Sequence, residues 1–79
     1  MKVAVVGATG LVGTRMLQVL AERRFPVTEI IPVASERSIG RKVAYEGVVN
    51  GIEGHSEWTV VSAEEAISRK PDLALFSAG

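Results

Sequence analysis

The chain has 79 residues, 47% of them hydrophobic, and nine Lys plus Arg balance nine Asp plus Glu to a formal net charge of zero. The balanced charge argues against a nucleic-acid binder, and the absence of cysteine excludes a disulfide scaffold or a thiolate metal site. No apolar run approaches the roughly twenty residues of a membrane helix, and Met1 to Val6 is too short for a signal-peptide core, so a soluble cytoplasmic protein with no membrane partner is expected.

Lys2 to Val6 is β-branched and apolar and stops at Gly7, the pattern of a strand buried on both faces in a parallel sheet. A turn, Gly7-Ala8-Thr9-Gly10, follows. Val12, Met16, Val19 and Leu20 then recur at i, i+4, i+7 and i+8, one stripe of a helix. Pro26 forbids continuation and pushes Phe25 out of helical geometry. Thr28 to Ala34 reads as a second strand. Pro32 removes one ladder donor, which places that strand at a sheet edge or ends it early. Ser35 to Lys42 is a polar loop containing Gly40. Val43 to Val49 and Trp58 to Val61 are expected as two short strands of a hairpin excursion, around a loop from Asn50 to Glu57.

Ser62-Ala63-Glu64-Glu65 is a capping box that opens a short helix ended by Pro71. Asp72 to Phe76 is a further apolar strand, running into Ser77-Ala78-Gly79. Strand, helix, strand, hairpin, helix, strand predicts an α/β fold, a Rossmann-like doubly wound and mainly parallel sheet. A helix normally covers the sheet after such a last strand. Residues 1–79 are therefore expected to be a truncated N-terminal portion of a larger enzyme.

Gly7-Ala8-Thr9-Gly10-Leu11-Val12-Gly13 lies between a predicted strand and a predicted helix, the context of a dinucleotide-binding turn. Gly7 allows a sharp turn off the strand. Gly10 leaves room for a pyrophosphate to approach the backbone, and Gly13 lets the helix lie close to the strand. The free amides and positive dipole end of the helix would hold the phosphates. The spacing is G-x-x-G-x-x-G, against the commoner G-x-G-x-x-G, and the bland alternative is a strand-to-helix turn without a ligand.

The end of the second strand carries the cofactor subtype. An NAD site usually places Asp or Glu there. This chain has Ser35-Glu36-Arg37-Ser38: a cationic fork at Arg37 with hydroxyls at Ser35 and Ser38, a set that suits the 2′-phosphate of NADP. Glu36 favours NAD if it faces the ribose and does little harm if it faces solvent. Ser77, Ala78 and Gly79 lie at the carboxyl end of the last strand, where ligands of open α/β sheets bind, although a plain tight turn would read the same way. His55, the single histidine, sits in a polar stretch with no cluster of metal ligands around it, so neither a metal site nor a catalytic residue is assigned. Ser62 with Glu65 reads as a helix cap. Tyr45 and Trp58 read as packing residues of the hairpin.

Taken together, Met1 to Gly13, Phe25-Pro26-Val27, Ala34 to Gly40 and Asp72 to Gly79 resemble the opening of aspartate-semialdehyde dehydrogenase. The stretch from Val43 to Ile67 is not diagnostic. The resemblance implies an NADPH-dependent enzyme, a cytoplasmic homodimer. Such an enzyme reductively dephosphorylates L-aspartyl 4-phosphate to L-aspartate 4-semialdehyde on the route to lysine, methionine, threonine and diaminopimelate. It implies that the residues at Gly10, Leu11, Val12 and Gly13 cradle the pyrophosphate, that Arg37 and Ser38 hold the 2′-phosphate, and that Ser77 to Gly79 line the cofactor channel. The candidate cofactor residues are accordingly Gly7, Thr9, Gly10, Leu11, Val12, Gly13, Ser35, Arg37, Ser38, Ser77, Ala78 and Gly79.

Where the family often has Lys after the loop glycine, this chain has Arg41 followed by Lys42. The chemistry needs a cysteine nucleophile, an acid-base histidine and arginines for the substrate; with no cysteine and His55 alone in a polar loop, this chain is expected to lack the catalytic set. The expectation is a cofactor-binding half that is inactive without the catalytic and dimerisation domain. An N-acetyl-γ-glutamyl-phosphate reductase shares the glycine turn, but the Ser-Glu-Arg-Ser loop disfavours it. A free-standing nucleotide-binding module is the alternative from another class.

Overall fold

The computed structural model describes residues 1–77. Along β1 (Lys2–Val6), Val3 and Val5 point to one face and Ala4 to the other, and all three are buried. Two-sided burial demands a layer on each face. One face is covered by α1 (Leu11–Glu22), where Leu17 and Leu20 meet Val3, Val5, Val27 and Ile30. The other is covered by α2 (Ala63–Ser68), where Ala66 packs with Ala4, Ile31 and Val33. The strand β2 (Glu29–Val33) and a later strand, Leu73–Phe76, flank β1, both parallel to it. This is the expected α/β, Rossmann-like parallel sheet. None of the helices is long and apolar enough to cross a membrane, among the described residues.

Pro32 is tolerated because of where it points. Its carbonyl faces outward, accepting the Val61 amide at 2.9 Å, so its missing N–H falls on the outer edge and β1 loses no bond. Thus β2 is an edge strand of the three-stranded sheet, as Pro32 predicts.

Four local expectations are corrected. The buried stripe of α1 is Gly13, Leu17 and Leu20, not Val12, Met16, Val19 and Leu20, and Val12 is 46% exposed. The helix is turned so that Gly13 faces the strand, and a glycine gives no apolar signal to count. The helix also stops well before Pro26. Arg24 takes a left-handed conformation (φ 53°), Phe25 N donates to Leu20 O and Arg24 N to Ala21 O, each at 3.1 Å. These two bonds close the last turn as a Schellman motif.

The third correction concerns the hairpin. The antiparallel strands β3 (Lys42–Val49) and β4 (Ile52–Thr59) are joined by the two residues Asn50 and Gly51 alone. Both have positive φ, 53° and 79°, as a tight hairpin turn requires. The expected loop from Asn50 to Glu57 is therefore mostly strand. Its apolar alternation is missing because most of β4 is exposed. Val60 and Val61 lie beyond β4, and Val61 bridges Val33 instead. Lastly, the capping box is half formed. Ser62 Oγ accepts the Glu65 amide at 3.1 Å, but the Glu65 carboxylate turns to Arg69 Nε at 3.0 Å. Arg69 also reaches Glu29 on β2 at 3.2 Å, tying α2 to the sheet. The last strand, β5 (Leu73–Phe76), is pinned at its start by Asp72, whose carboxylate accepts the Lys2 amide at 2.7 Å.

Tyr45 on β3 belongs to the α1-side core and is 1% exposed. Its hydroxyl has no hydrogen-bond partner among the described residues, and burial pushes the phenol's pKa up. Losing an unsatisfied buried hydroxyl of the same ring shape removes a desolvation penalty. Tyr45→Phe is expected to raise stability by about 1 kcal/mol in urea unfolding. A loss of similar size would show that the hydroxyl holds a bond.

Candidate functional site

The Gly7 amide (2.7 Å) and the Ala8 amide (3.1 Å) both donate to Val33 O, the last residue of β2. The glycine turn is thereby fixed against the end of the neighbouring strand. Gly7 has φ 82°, and a Cβ there would meet Ser77 Oγ at 2.1 Å. Ser77 is itself held by its amide on Val6 O at 3.0 Å, so the residue after β5 sits directly on the turn. Gly13 is tighter still: a Cβ would lie 2.1 Å from Gly7 O and 2.7 Å from Ala8 Cα. Contact with backbone, which has nowhere to go, brings α1 against β1.

Gly10 is different. A Cβ there would find only Gly7 O, at 3.6 Å, and φ is −84°. No neighbouring atom among the described residues demands glycine at this position. Gly10 is the N-cap of α1 and offers no side chain to cap it. The amides of Leu11, Val12 and Gly13 have no acceptor among the described residues, and the first turn holds no acid. Leu11 is 92% exposed beside them. An uncapped, acid-free helix start carries partial positive charge and free donors, which is a seat for an anion. Thr14 Oγ1 binds Gly10 O at 2.9 Å and leaves those donors untouched.

The loop after β2 holds a single 3₁₀ turn, Glu36–Ser38, closed by Ser38 N on Ser35 O at 2.8 Å. Ser35, Glu36 and Arg37 are exposed and Ser38 is half-buried. None of these four side chains forms a hydrogen bond or ion pair among the described residues. Ala78 and Gly79 lie outside the described residues. A cavity of about 460 Å³ opens between the glycine turn and the start of β3, lined by Ala8, Thr9, Thr14, Leu17 and by Arg41 to Ala44. The structure thus brings together Gly7, Thr9, Gly10, Leu11, Val12, Gly13 and Ser77 around one turn. It places Ser35, Arg37 and Ser38 on the adjoining loop, outside that cavity lining. His55 lies apart, on the hairpin, its two ring nitrogens facing Glu46 and Glu57. These carboxylates, Glu46 foremost, raise its pKa.

The family profile described as semialdehyde dehydrogenase, NAD binding domain, matches residues 2–79. The chain belongs to this family. Among curated relatives, the aspartate-semialdehyde dehydrogenase of Aquifex aeolicus is 47% identical over 79 residues, covering 99% of this chain and 21% of that protein. That of Legionella pneumophila is 44% identical, covering 100% and 20%. The crystal structure of aspartate semialdehyde dehydrogenase II from Vibrio cholerae, complexed with ASA, superposes with a TM-score of 0.78 at 45% identity. That match covers 99% of this chain and 23% of the other. This semialdehyde dehydrogenase domain spans about a fifth of the length of the curated relatives it matches.

In this NAD-binding domain, the sequence marked Arg41 and Lys42 as the place where the family often has Lys, without placing them in a cavity. The fold of β3 against α1 puts them in one lining with Thr9.

Proposed function

We propose that residues 1–79 are the N-terminal cofactor-binding part of an NADPH-dependent aspartate-semialdehyde dehydrogenase. One observation carries this reading: the helix start at Gly10 to Gly13 is uncapped, free of acid, and open above a glycine that no contact among the described residues requires. The cradle fits a pyrophosphate. The amides of Leu11, Val12 and Gly13 would donate to it. Thr9 and Ser77 would border it. Ser35, Arg37 and Ser38 would hold the 2′-phosphate, with Glu36 turned to solvent.

When bound, NADPH supplies the hydride for reduction. The intact protein would convert L-aspartyl 4-phosphate to L-aspartate 4-semialdehyde, as a cytoplasmic homodimer, within lysine, methionine, threonine and diaminopimelate biosynthesis. The chain has no cysteine. The thiolate that forms the thioacyl intermediate, and with it the catalytic and dimerisation domain, would come from sequence beyond these residues.

Calorimetric titration of the chain with NADPH and with NADH tests the reading. NADPH is expected to bind more tightly. Arg37→Ala should weaken NADPH about tenfold or more, the worth of a charge-assisted hydrogen bond, and leave NADH nearly unchanged. Equal losses for the two would remove Arg37 from the 2′-phosphate.

A further inference from the structure

We propose that the open edge of β3 is a self-association surface, on which a second copy of this chain pairs antiparallel through its own β3, the two strands centred on Ala44. The hairpins of the two copies would then form one continuous antiparallel sheet. This surface is independent of the dimerisation domain proposed above to lie beyond these residues.

The ladder of the hairpin turns the backbone groups of this edge outward. At one end, the two-residue turn makes Val49 and Ile52 a bonded pair. At the other, Val60 N donates to Arg41 O at 2.8 Å. Bonded and non-bonded pairs alternate between those ends, so Lys42, Ala44 and Glu46 direct their N–H and C=O away from β4. None of these groups has a backbone partner outside the ladder among the described residues, and all three residues are exposed. Open space follows the same edge. The cavity of about 460 Å³ runs beside Arg41 to Ala44 and one of about 610 Å³ beside Ala44 to Glu46, both against Thr14 and Leu17 of α1. The edge closes at Val49, which bridges Val27.

The side chains select the partner. An exposed edge is a template for another strand unless proline, a bulge or like charge blunts it. From Lys42 to Val49 there is no proline, and the register with β4 runs without a bulge. Two copies of β3 centred on Ala44 place Lys42 opposite the partner's Glu46 and Glu46 opposite the partner's Lys42. Both pairs lie on the solvent face, where opposite charges directly across a ladder attract. Between them Ala44 meets the partner's Ala44, too small to obstruct. One surface is thus complementary to itself, as a two-fold contact requires. His55 faces Glu46 from β4, on the side away from the new strand. Strand β4 offers no such match on its own edge. Its outward row carries Glu53 and Glu57 with His55, so two copies of it would gather carboxylates. A two-stranded sheet is marginal by itself, and this pairing doubles its strands.

The test is sedimentation of the full chain over a range of concentrations, combined with amide hydrogen exchange. The wild type should form a dimer that dissociates on dilution. Its Ala44 and Glu46 amides should be protected in the dimer and exchange freely in the monomer. Lys42→Glu should weaken the dimer at least about tenfold, because each copy then sets a carboxylate against the partner's Glu46. Reversing both charges, Lys42→Glu/Glu46→Lys, should restore the affinity to within about threefold of wild type. Arg15→Glu, on α1, makes the same change in net charge as Lys42→Glu and should also stay within about threefold. Lys42, Glu46 and Arg15 are exposed, so the thermal melts of the monomers should be unchanged. A chain that stays monomeric at millimolar concentration, a dimer whose Ala44 and Glu46 amides exchange freely, or a dimer that Lys42→Glu leaves intact overturns the inference. So does a double reversal that dimerises no better than Lys42→Glu.

Discussion

Replacing Gly13 with alanine is expected to unfold most of the chain or to lower its stability by about 3 kcal/mol, the upper end of what overpacking costs. Two effects oppose each other. Alanine is the better helix former, by about 1 kcal/mol in a helix interior. Against this, the new methyl would stand 2.1 Å from Gly7 O, 2.7 Å from Ala8 Cα and 2.8 Å from Gly7 C. All three are backbone atoms of a turn held on Val33 O by two hydrogen bonds. No rotamer change relieves that contact, so α1 must move away from β1 and the steric term wins. Gly10→Ala is the matched control, since its methyl would meet only Gly7 O at an ordinary 3.6 Å. Urea midpoints measure both variants. Gly10→Ala should remain within about 1 kcal/mol of wild type. A Gly13→Ala protein as stable as wild type would mean that the helix does not lie where described.

The second large effect is expected at Ile31. Its side chain is fully buried, on the α2 side of the sheet, next to Ala4 across the ladder and packed with Val33 and Ala66. Truncating an isoleucine to alanine in a core removes transfer free energy and leaves a cavity, a loss of about 2–5 kcal/mol. Two of the neighbours here, Ala4 and Ala66, are already small and have no side chain to swing into the space. Ile31→Ala should therefore fall in the upper half of that range. Small domains hold only about 5 kcal/mol or little more, so the midpoint should collapse. Ile67 on α2 is 74% exposed, and Ile67→Ala should stay within about 0.5 kcal/mol. Comparable losses at the two positions would show that α2 packs by a different face.

The contrast between Gly10 and Gly13 also shows how a glycine pattern should be read. Gly7 and Gly13 are needed by the fold, one for its positive φ and its contact with Ser77, the other for its contact with backbone. Gly10 is needed by neither.

Much of this was written locally. Lys2 to Val6, the turn after it, the edge position of a strand carrying Pro32, and the Ser62 cap follow from neighbours within a few residues. Short-range physics decides them: β-branched runs, left-handed glycines, a missing N–H, a hydroxyl three residues before an amide. The resemblance to a dehydrogenase front end was likewise carried by contiguous motifs.

What escaped was set over distance. The apolar spacing pointed to Val12 and Met16 for the buried face of α1, although the glycine motif had already set Gly13 against the strand. Strand β4 shows no alternation, because most of it faces water and only its pairing with β3 holds it. The Glu65 carboxylate found Arg69, and through Arg69 the sheet at Glu29, in place of its own helix start. Arg41 and Lys42 became neighbours of Thr9 only when β3 folded back along α1. Periodicity and turn chemistry fixed the elements of this protein other than β4. The faces they present and the charges that gather at the glycine turn were decided by tertiary packing, since contacts between distant residues leave no period in the chain.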